Sequence, residues 1–170
     1  MKRSGRSIKQ RLYGLKHLPS RLRRARYFRG HGVHSPYIYN IVRQVFMRRT
    51  FIRDQHPLYD ALCAMGCSAK RAMQIENLAT HCNYATWSID SHTSSELVIL
   101  TTATRHDAFE EYAHYAATTG ATLCIMLPYD NAQRWSECKR LIEAHPSTTV
   151  DNRAYLLLFN NHLPKQRFRL

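Results

Sequence analysis

The stretch Glu96-Leu-Val-Ile-Leu-Thr-Thr102, the helical segment after it, and Ala121-Thr-Leu-Cys-Ile-Met-Leu127 decide the fold of this chain. Both apolar runs are short and rich in β-branched residues, which is typical of strands buried on both faces. Between them, four residues recur at the spacing of one helix face: Phe109, Tyr112, Ala113 and Ala116. Asp107 is a candidate cap of this helix and Gly120 its end. A strand, a helix and a strand at this spacing predict a βαβ unit with parallel strands and a right-handed crossover.

Further elements extend this unit in both directions. Ser35 and Pro36 predict the start of an amphipathic helix over residues 36–49, because Ser accepts hydrogen bonds from first-turn N–H groups and Pro has no N–H to lose. The other predicted elements are helices 58–65 and 69–83, a strand at 84–90, a helix at 132–144, and strands at 148–152 and 154–160. The last two strands are joined so tightly that they should be antiparallel. The sequence therefore predicts an α/β sheet of about five strands, mostly parallel with a C-terminal antiparallel pair.

Charge divides the chain into two parts. All twelve Asp and Glu residues lie after position 53, whereas fifteen of the twenty-five Lys and Arg residues lie at or before it. The first 53 residues therefore carry +15, and the remainder carries ten basic against twelve acidic charges, or −2. We predict a basic helical arm over residues 1–35 and an α/β domain over residues 36–170.

The arm is expected to contact anions. Its candidate contacts for an anion or a nucleic acid are Arg23, Arg24, Arg26, Arg29, His31 and His34. Cations neutralise phosphates, and the aromatic side chains between them can stack on bases. RNA, an acidic protein surface and an anionic lipid surface all fit, because charge alone supports this interpretation. A further alternative is that the glycines and histidines of residues 30–34 only fix how the arm enters the domain.

Composition also restricts the compartment and the chemistry. No run approaches the roughly twenty apolar residues that cross a bilayer, and the N-terminus lacks the apolar segment of a secretory signal, so we expect a cytoplasmic protein. The five cysteines are expected to be thiols in a reducing compartment. Cys63, Cys67, His81 and Cys82 lie close in sequence, but a structural zinc site needs a second ligand pair, so no metal is expected. No Ser lies in a strand–turn–helix elbow, so a hydrolase triad is not expected either.

The two ends of the chain resemble a known family. Arg26-Tyr-Phe-Arg-Gly-His-Gly-Val-His-Ser-Pro-Tyr-Ile-Tyr39 is similar to the N-terminal signature of a family of S-adenosylmethionine-dependent methyltransferase-like proteins common in Bacteroidetes. The segment from Trp135 through Ile142 and the later run Tyr155-Leu-Leu-Leu-Phe159 resemble that family's C-terminus. The resemblance is loose in the middle of the chain. It implies a truncated Rossmann-like sheet of the class I methyltransferase type.

The middle departs from the family where a cofactor would bind. By resemblance, S-adenosylmethionine would be held by a glycine-rich turn after the first strand and an acidic residue after the second. The six glycines are at positions 5, 14, 30, 32, 66 and 120, and none follows a central strand. If Thr86 to Asp90 corresponds to the family's first strand, two strand–helix units of the family have no counterpart after Asp90. Asp90 therefore remains as a candidate for cofactor contact, with Asp107 and Asp130 as the other acids near strand ends. No catalytic residue can be assigned, and we expect that an isolated monomer does not bind S-adenosylmethionine.

Three functions are open on this sequence. The first is a degenerate methyltransferase-family protein that has lost catalysis and acts as a binding or scaffolding protein. The second is a basic module that associates with RNA or the ribosome through its arm. The third is an active S-adenosylmethionine-dependent methyltransferase whose site is completed by a second subunit, since a shortened sheet exposes an edge that favours pairing, as in a homodimer.

Overall fold

The structure, a computed structural model, describes residues 33–161 and 163–170. The helices are α1 (Pro36–Ile41), which continues as a π-helix (Val42–Phe46), α2 (Pro57–Ala64), α3 (Ala69–His81), α4 (Phe109–Thr119) with a preceding 3-10 turn (His106–Ala108), and α5 (Ala132–Ala144). The strands are β1 (Trp87–Ile89), β2 (Leu97–Leu100), β3 (Thr122–Met126), β4 (Thr149–Asp151), β5 (Tyr155–Leu158) and β6 (Arg167–Arg169). The predicted arm over residues 1–35 lies outside the described residues except for residues 33–35.

The strands form one mixed sheet in the order β1-β2-β3-β5-β4-β6. Strands β1, β2 and β3 are mutually parallel, β5 is antiparallel to both of its neighbours, and β6 is parallel to β4. The predicted parallel pair around α4 and the predicted antiparallel pair β4–β5 are both confirmed. The sheet has six strands instead of about five. The additional strand β6 gives little sequence signal, because it is three residues long and carries an exposed Arg at each end.

The connection from β1 to β2 is unusually short. Adjacent parallel strands usually need a crossover of about a dozen residues or more, but here only residues 90–96 separate β1 from β2. Asp90 turns the chain with a positive φ of 50°. The Glu96 carboxylate accepts hydrogen bonds from the backbone N–H groups of Ala85 and Thr86, at 2.5 and 3.1 Å. The loop returns within so few residues because β1 itself is only three residues long.

Two apolar cores lie on opposite faces of the sheet. On one face, α1, the π-helix, α2 and α3 cover inward-facing residues of the strands, among them Leu97, Cys124, Tyr155 and Leu157. On the other face, α4 and α5 cover the alternate residues, among them Val98, Leu123, Leu156 and Leu158. Every residue of β2 and β3 is buried, which confirms the prediction that these strands are covered on both faces.

Two predicted helix starts have different outcomes. The side chain of Ser35 accepts a hydrogen bond from the N–H of Ile38 at 3.4 Å, and Pro36 is the first residue of α1, as predicted. Asp107, in contrast, does not cap α4; the prediction is wrong because its carboxylate pairs with Arg105 at 2.7 Å and lies inside the 3-10 turn. Gly120 ends α4 with a left-handed φ of 73°, as predicted.

The first helix ends earlier than predicted. Helical structure stops at Phe46 rather than at residue 49, and its last five residues form a π-helix. The amide of Gln74 on α3 donates a hydrogen bond to the Phe46 carbonyl at 2.9 Å. Asn77 then accepts from the N–H of Ile52 and donates to the Thr50 carbonyl, both at 3.0 Å. These side chains from α3 satisfy backbone groups that a longer helix would have used, so the chain leaves the helix here.

Candidate functional site

Asp90 follows β1 at the carboxyl-terminal edge of the sheet, where ligands of open α/β sheets bind. Its carboxylate accepts hydrogen bonds from the Thr101 N–H at 2.7 Å, from the Thr101 hydroxyl at 2.5 Å, and from the Thr104 hydroxyl. A carboxylate offers about four lone-pair sites. Most of the lone pairs of the Asp90 carboxylate therefore accept hydrogen bonds from the loop that follows β2, and these bonds hold that loop in place.

Arg134 occupies the neighbouring part of the same edge. Asn131 caps α5 by accepting from the Arg134 N–H at 2.8 Å, which places the Arg134 side chain, 3% exposed, under the ends of the strands. Its guanidinium donates to the carbonyls of Met126 at 2.9 Å, Thr101 at 2.8 Å and Thr104 at 3.0 Å. Burial lowers the pKa of Arg134, and hydrogen bonds to backbone carbonyls offset that desolvation.

Arg134 also contacts an aromatic ring, because its guanidinium carbon lies 4.6 Å from the centre of the Phe109 ring. Such a cation–π contact fills the remaining face of the guanidinium. The ends of β2 and β3 and the start of α4 are thus tied together by one buried side chain. The space between these strand ends is filled by the protein itself.

These residues do not fit S-adenosylmethionine. A glycine-rich turn would let backbone N–H groups approach the methionine part of the cofactor, but the chain after β1 is Asp90-Ser-His-Thr-Ser-Ser-Glu96, without glycine. Asp107 is exposed, and the guanidinium of Arg105 lowers the pKa of its carboxyl. Asp130 begins no helix; its N–H donates to the Leu127 carbonyl at 3.0 Å within a turn. The Asp90 carboxylate accepts hydrogen bonds from the loop after β2 and that of Asp107 pairs with Arg105, so neither is an unpaired carboxylate that could contact a ribose.

The other sequence-predicted contacts lie mostly outside the described residues. Arg23, Arg24, Arg26, Arg29 and His31 precede residue 33, and His34 is exposed directly before α1. Cys63 and Cys67 lie at the end of α2, and the Cys67 thiol lies 3.7 Å from the Met126 sulfur. Burial raises the pKa of Cys67. Within residues 33–161 and 163–170, no three His, Cys, Asp or Glu side chains converge as metal ligands would.

The sequence interpretation missed a pocket further along the same edge. The pocket has a volume of about 300 Å³ and lies between the π-helix, the first turns of α3 and the turn that joins β4 to β5. Lys70, Arg71 and Gln74 of α3 contribute its polar wall together with Asn152. The sequence does contain a signal for it. Two cations in the first turn of a helix oppose the helix dipole, and such local conflicts are expected at functional or strained positions.

A basic loop joins the π-helix to α2 beside this pocket. Residues 47–56, which we call the basic loop, contain Arg48, Arg49 and Arg53. Within it, Phe51 and His56 stack with ring centres 3.6 Å apart. Two buried donor or acceptor atoms of the loop, Nε of Arg48 and Nδ1 of His56, have no hydrogen-bond partner within the described residues. The loop is irregular but held in place by Asn77, as described above.

Fold and site together define a mixed α/β protein. At the carboxyl-terminal edge of its sheet, Asp90 and Arg134 bond the ends of β1, β2 and β3 to neighbouring loops, and a pocket lies beside β4 and β5. Comparison with protein-family models, curated proteins and solved structures gives no match to this chain. Across the described part of the chain, no helix is both long enough and apolar enough to cross a bilayer. The function is therefore argued from the geometry of the sheet edge and its surroundings.

Proposed function

We propose that this chain is a degenerate member of the S-adenosylmethionine-dependent methyltransferase family that has lost catalysis and acts as a binding or scaffolding protein. Resemblance at both ends of the chain supports the descent. The sheet order adds support, because β1 lies at an edge and directly beside β2. That arrangement is expected when the outer strands on one side of a methyltransferase-type sheet are absent.

The proposed loss of catalysis rests on one observation. The charged groups at the ends of β1, β2 and β3 are already hydrogen-bonded within the fold. The Asp90 carboxylate accepts from Thr101 and Thr104, and the Arg134 guanidinium donates to three carbonyls. A cofactor would have to displace these hydrogen bonds and then satisfy the same buried groups. A crevice of this kind also needs loops from both sides of a strand-order reversal, and β1 is at the edge.

Calorimetric titration of the full chain with S-adenosylmethionine and S-adenosylhomocysteine tests this proposal. We expect no binding heat at millimolar cofactor, with an active methyltransferase in the same buffer as the positive control. Incubation of the chain with isotopically labelled cofactor and cell extract is the second arm, and we expect no label transfer. Micromolar binding, or transfer that rises with protein concentration as a homodimer would require, contradicts the proposal.

A second candidate function, RNA binding, is supported by the basic loop. The loop extends the cationic character of the arm onto the folded domain, and its backbone is held in place because Asn77 bonds both Thr50 and Ile52. The half-buried Phe51–His56 stack supplies an aromatic face between the cations. Cations interleaved with stacking rings are the elements that single-stranded nucleic acid binding uses.

Salt dependence separates RNA binding by the loop from binding by the arm. Arg49 and Arg53 are exposed, and for single strands each phosphate contact adds about 0.7 to the slope of log affinity against log salt. We expect the double variant R49Q/R53Q to lower that slope by about 1.4 relative to wild type. The control K139Q removes a cation from α5, on the opposite face of the sheet, and should leave the slope unchanged. An unchanged slope for R49Q/R53Q, with loss only on deletion of residues 1–30, assigns binding to the arm and rejects the loop.

A further inference from the structure

The outer edge of β1 carries backbone groups that the sheet does not use. Strand β1 lies at one end of the sheet and has β2 as its neighbour there. The Thr86 carbonyl accepts a hydrogen bond from β2 at 3.2 Å, and the Asp90 N–H donates one to β2 at 2.8 Å. In a parallel pair, alternate residues of a strand bond to the same neighbour, so Ser88 also bonds to β2. The N–H and C=O groups of Trp87 and Ile89 therefore point away from the sheet.

This free row is short and has defined ends. Before it, the Glu96 carboxylate accepts hydrogen bonds from the N–H groups of Ala85 and Thr86, at 2.5 and 3.1 Å. After it, Asp90 turns the chain with a positive φ of 50°. Within the described residues, the N–H and C=O groups of Trp87 and Ile89 make no hydrogen bond. Two donors and two acceptors in one row form a template for pairing with another strand.

The opposite edge of the sheet differs in charge. Strand β6 bonds to β4 through Gln166 and Leu170, so by the same alternation Arg167 and Arg169 present their backbone groups outward. Both arginine side chains are exposed. Charged side chains on an edge strand are a common protection against pairing with another chain. Strand β1 is Trp-Ser-Ile and carries neither a charge nor a proline, so its shortness is its main protection.

An antiparallel second copy of β1 satisfies all of the free groups. With Ser88 opposite Ser88 of the partner subunit, Trp87 exchanges two hydrogen bonds with the partner's Ile89. By symmetry Ile89 exchanges two with the partner's Trp87, which gives four hydrogen bonds in all. The side chains of Trp87 and Ile89 lie half-buried against the core under α1, α2 and α3. In this register each is opposite the other across the two strands, and aromatic and β-branched side chains pair favourably there.

Charge favours this pairing over the equivalent pairing at the other edge. An antiparallel pair of β6 strands would place Arg167 directly opposite Arg169 of the partner subunit. Like charges in that position are destabilising. The β1 pair brings no charged side chains opposite each other, since the strand contains none. A second copy of this chain therefore fits the β1 edge and not the β6 edge.

We propose that the chain forms a two-fold homodimer through β1, in which the two sheets join into one continuous sheet. The contact is small because the strand is three residues long, so it belongs to the weak class of interfaces. We expect a dissociation constant of about 10 to 100 µM. The proposal goes beyond the loss of catalysis and holds whether or not the chain transfers methyl groups.

Amide hydrogen exchange of the ¹⁵N-labelled, full-length wild type tests the pairing residue by residue. At a protein concentration about ten times the dissociation constant, mass action leaves about one fifth of the chain monomeric. The amides of Trp87 and Ile89 should then exchange about fivefold more slowly than in dilute protein. The Ser88 amide, which already bonds to β2, should not change. No slowing at Trp87 and Ile89, or equal slowing at Ser88, rejects pairing at this edge.

Two proline variants test which edge associates, because proline lacks the N–H group and is tolerated where that group points outward from an edge strand. I89P removes two of the four hydrogen bonds of the dimer, one from each copy. We expect it to raise the dissociation constant at least about tenfold in sedimentation experiments. The matched variant R169P removes an outward N–H group from β6 and should leave the constant unchanged.

The same sedimentation experiments contain the outcomes that contradict the proposal. Equal weakening by I89P and R169P would indicate head-to-tail pairing of β1 with β6, which gives open chains of subunits instead of a dimer. Loss of association in about 0.5 M salt would assign it to the basic arm or the basic loop, since charge contacts are screened there. A wild type that stays monomeric at millimolar concentration would reject the dimer outright. The exchange experiment uses the wild type, so it decides the matter even if I89P does not fold.

Discussion

Two parts of the same sheet edge differ in the environment of their cations. Beside β2 and β3, Arg134 is 3% exposed and bonds three backbone carbonyls. Beside β4 and β5, Lys70 and Arg71 line a pocket, and Lys70 is exposed. In the first region polar groups stabilise the fold. In the second, two cations lie in the first turn of α3, where they oppose the helix dipole at a cost to the fold.

This comparison predicts opposite signs for substitutions in the two regions. Removing a polar group from the filled region, meaning Asp90 and Arg134 with their partners, should lower the free energy of unfolding. Removing one from the open pocket should leave it unchanged or raise it.

The largest effect is expected for R134M. Methionine keeps the length and apolar contacts of the side chain but leaves the carbonyls of Thr101, Thr104 and Met126 without their donor. We expect a loss of about 3 kcal/mol in the free energy of unfolding, measured by urea denaturation. The control R140M, on the exposed face of the same helix, should change it by less than about 0.5 kcal/mol. Equal effects of the two variants would mean that Arg134 does not hold the strand ends together.

Substitution of Asp90 should have the next largest effect. D90N keeps one acceptor and tolerates the positive φ, so it isolates the loss of the carboxylate. We expect a loss of about 1 to 2 kcal/mol, together with faster hydrogen exchange of the Thr101 amide, which donates to Asp90 at 2.7 Å. The matched variant D107N removes an exposed carboxylate and should have little effect on stability. An unchanged exchange rate at Thr101 would show that Asp90 does not fix this loop.

Much of the fold could be predicted from the sequence because its signals are local. The continuous apolar runs of β2 and β3, the helix period of α4 and α5, and the Ser35–Pro36 start each depend on neighbouring residues. Strand β6 could not be predicted, since its pairing is decided by the edge of β4, which the local sequence Arg-Phe-Arg does not reveal. The predicted end of the first helix is also wrong. Gln74 and Asn77, which lie far along the chain, donate hydrogen bonds to the carbonyls of Phe46 and Thr50, and their positions cannot be read from the local sequence.

The candidate site was harder to predict than the fold. The sequence indicates Asp90 as an acid at a strand end, but its role depends on hydrogen bonds from the side chains of Thr101 and Thr104. The arrangement of Arg134 depends on the packing of α5 beneath two strands, which no sequence spacing specifies. One sequence feature is associated with the pocket, the Lys70-Arg71 pair at the start of a helix. Only the structure shows that this pair lines a pocket.

A pair of tyrosine variants compares a used with an unused buried hydroxyl. The Tyr84 hydroxyl is hydrogen-bonded to the Thr122 hydroxyl at 2.6 Å, whereas that of Tyr155 has no partner within the described residues. We expect Y84F to lower the free energy of unfolding by about 1 kcal/mol and Y155F to leave it unchanged or raise it by up to about 1 kcal/mol. Thermal and urea unfolding of both variants gives the comparison. A loss for Y155F as large as that for Y84F would show that the Tyr155 hydroxyl already has a partner.

The smallest effect is expected at Lys70, and its sign is the most informative. K70E replaces a cation with an anion in the first turn of α3, where negative charge interacts favourably with the helix dipole. We expect the free energy of unfolding to rise by about 0.5 kcal/mol at low ionic strength, and the gain to shrink as salt is added. K139E, in the interior of α5, reverses the same charge away from a helix start and should not stabilise the protein.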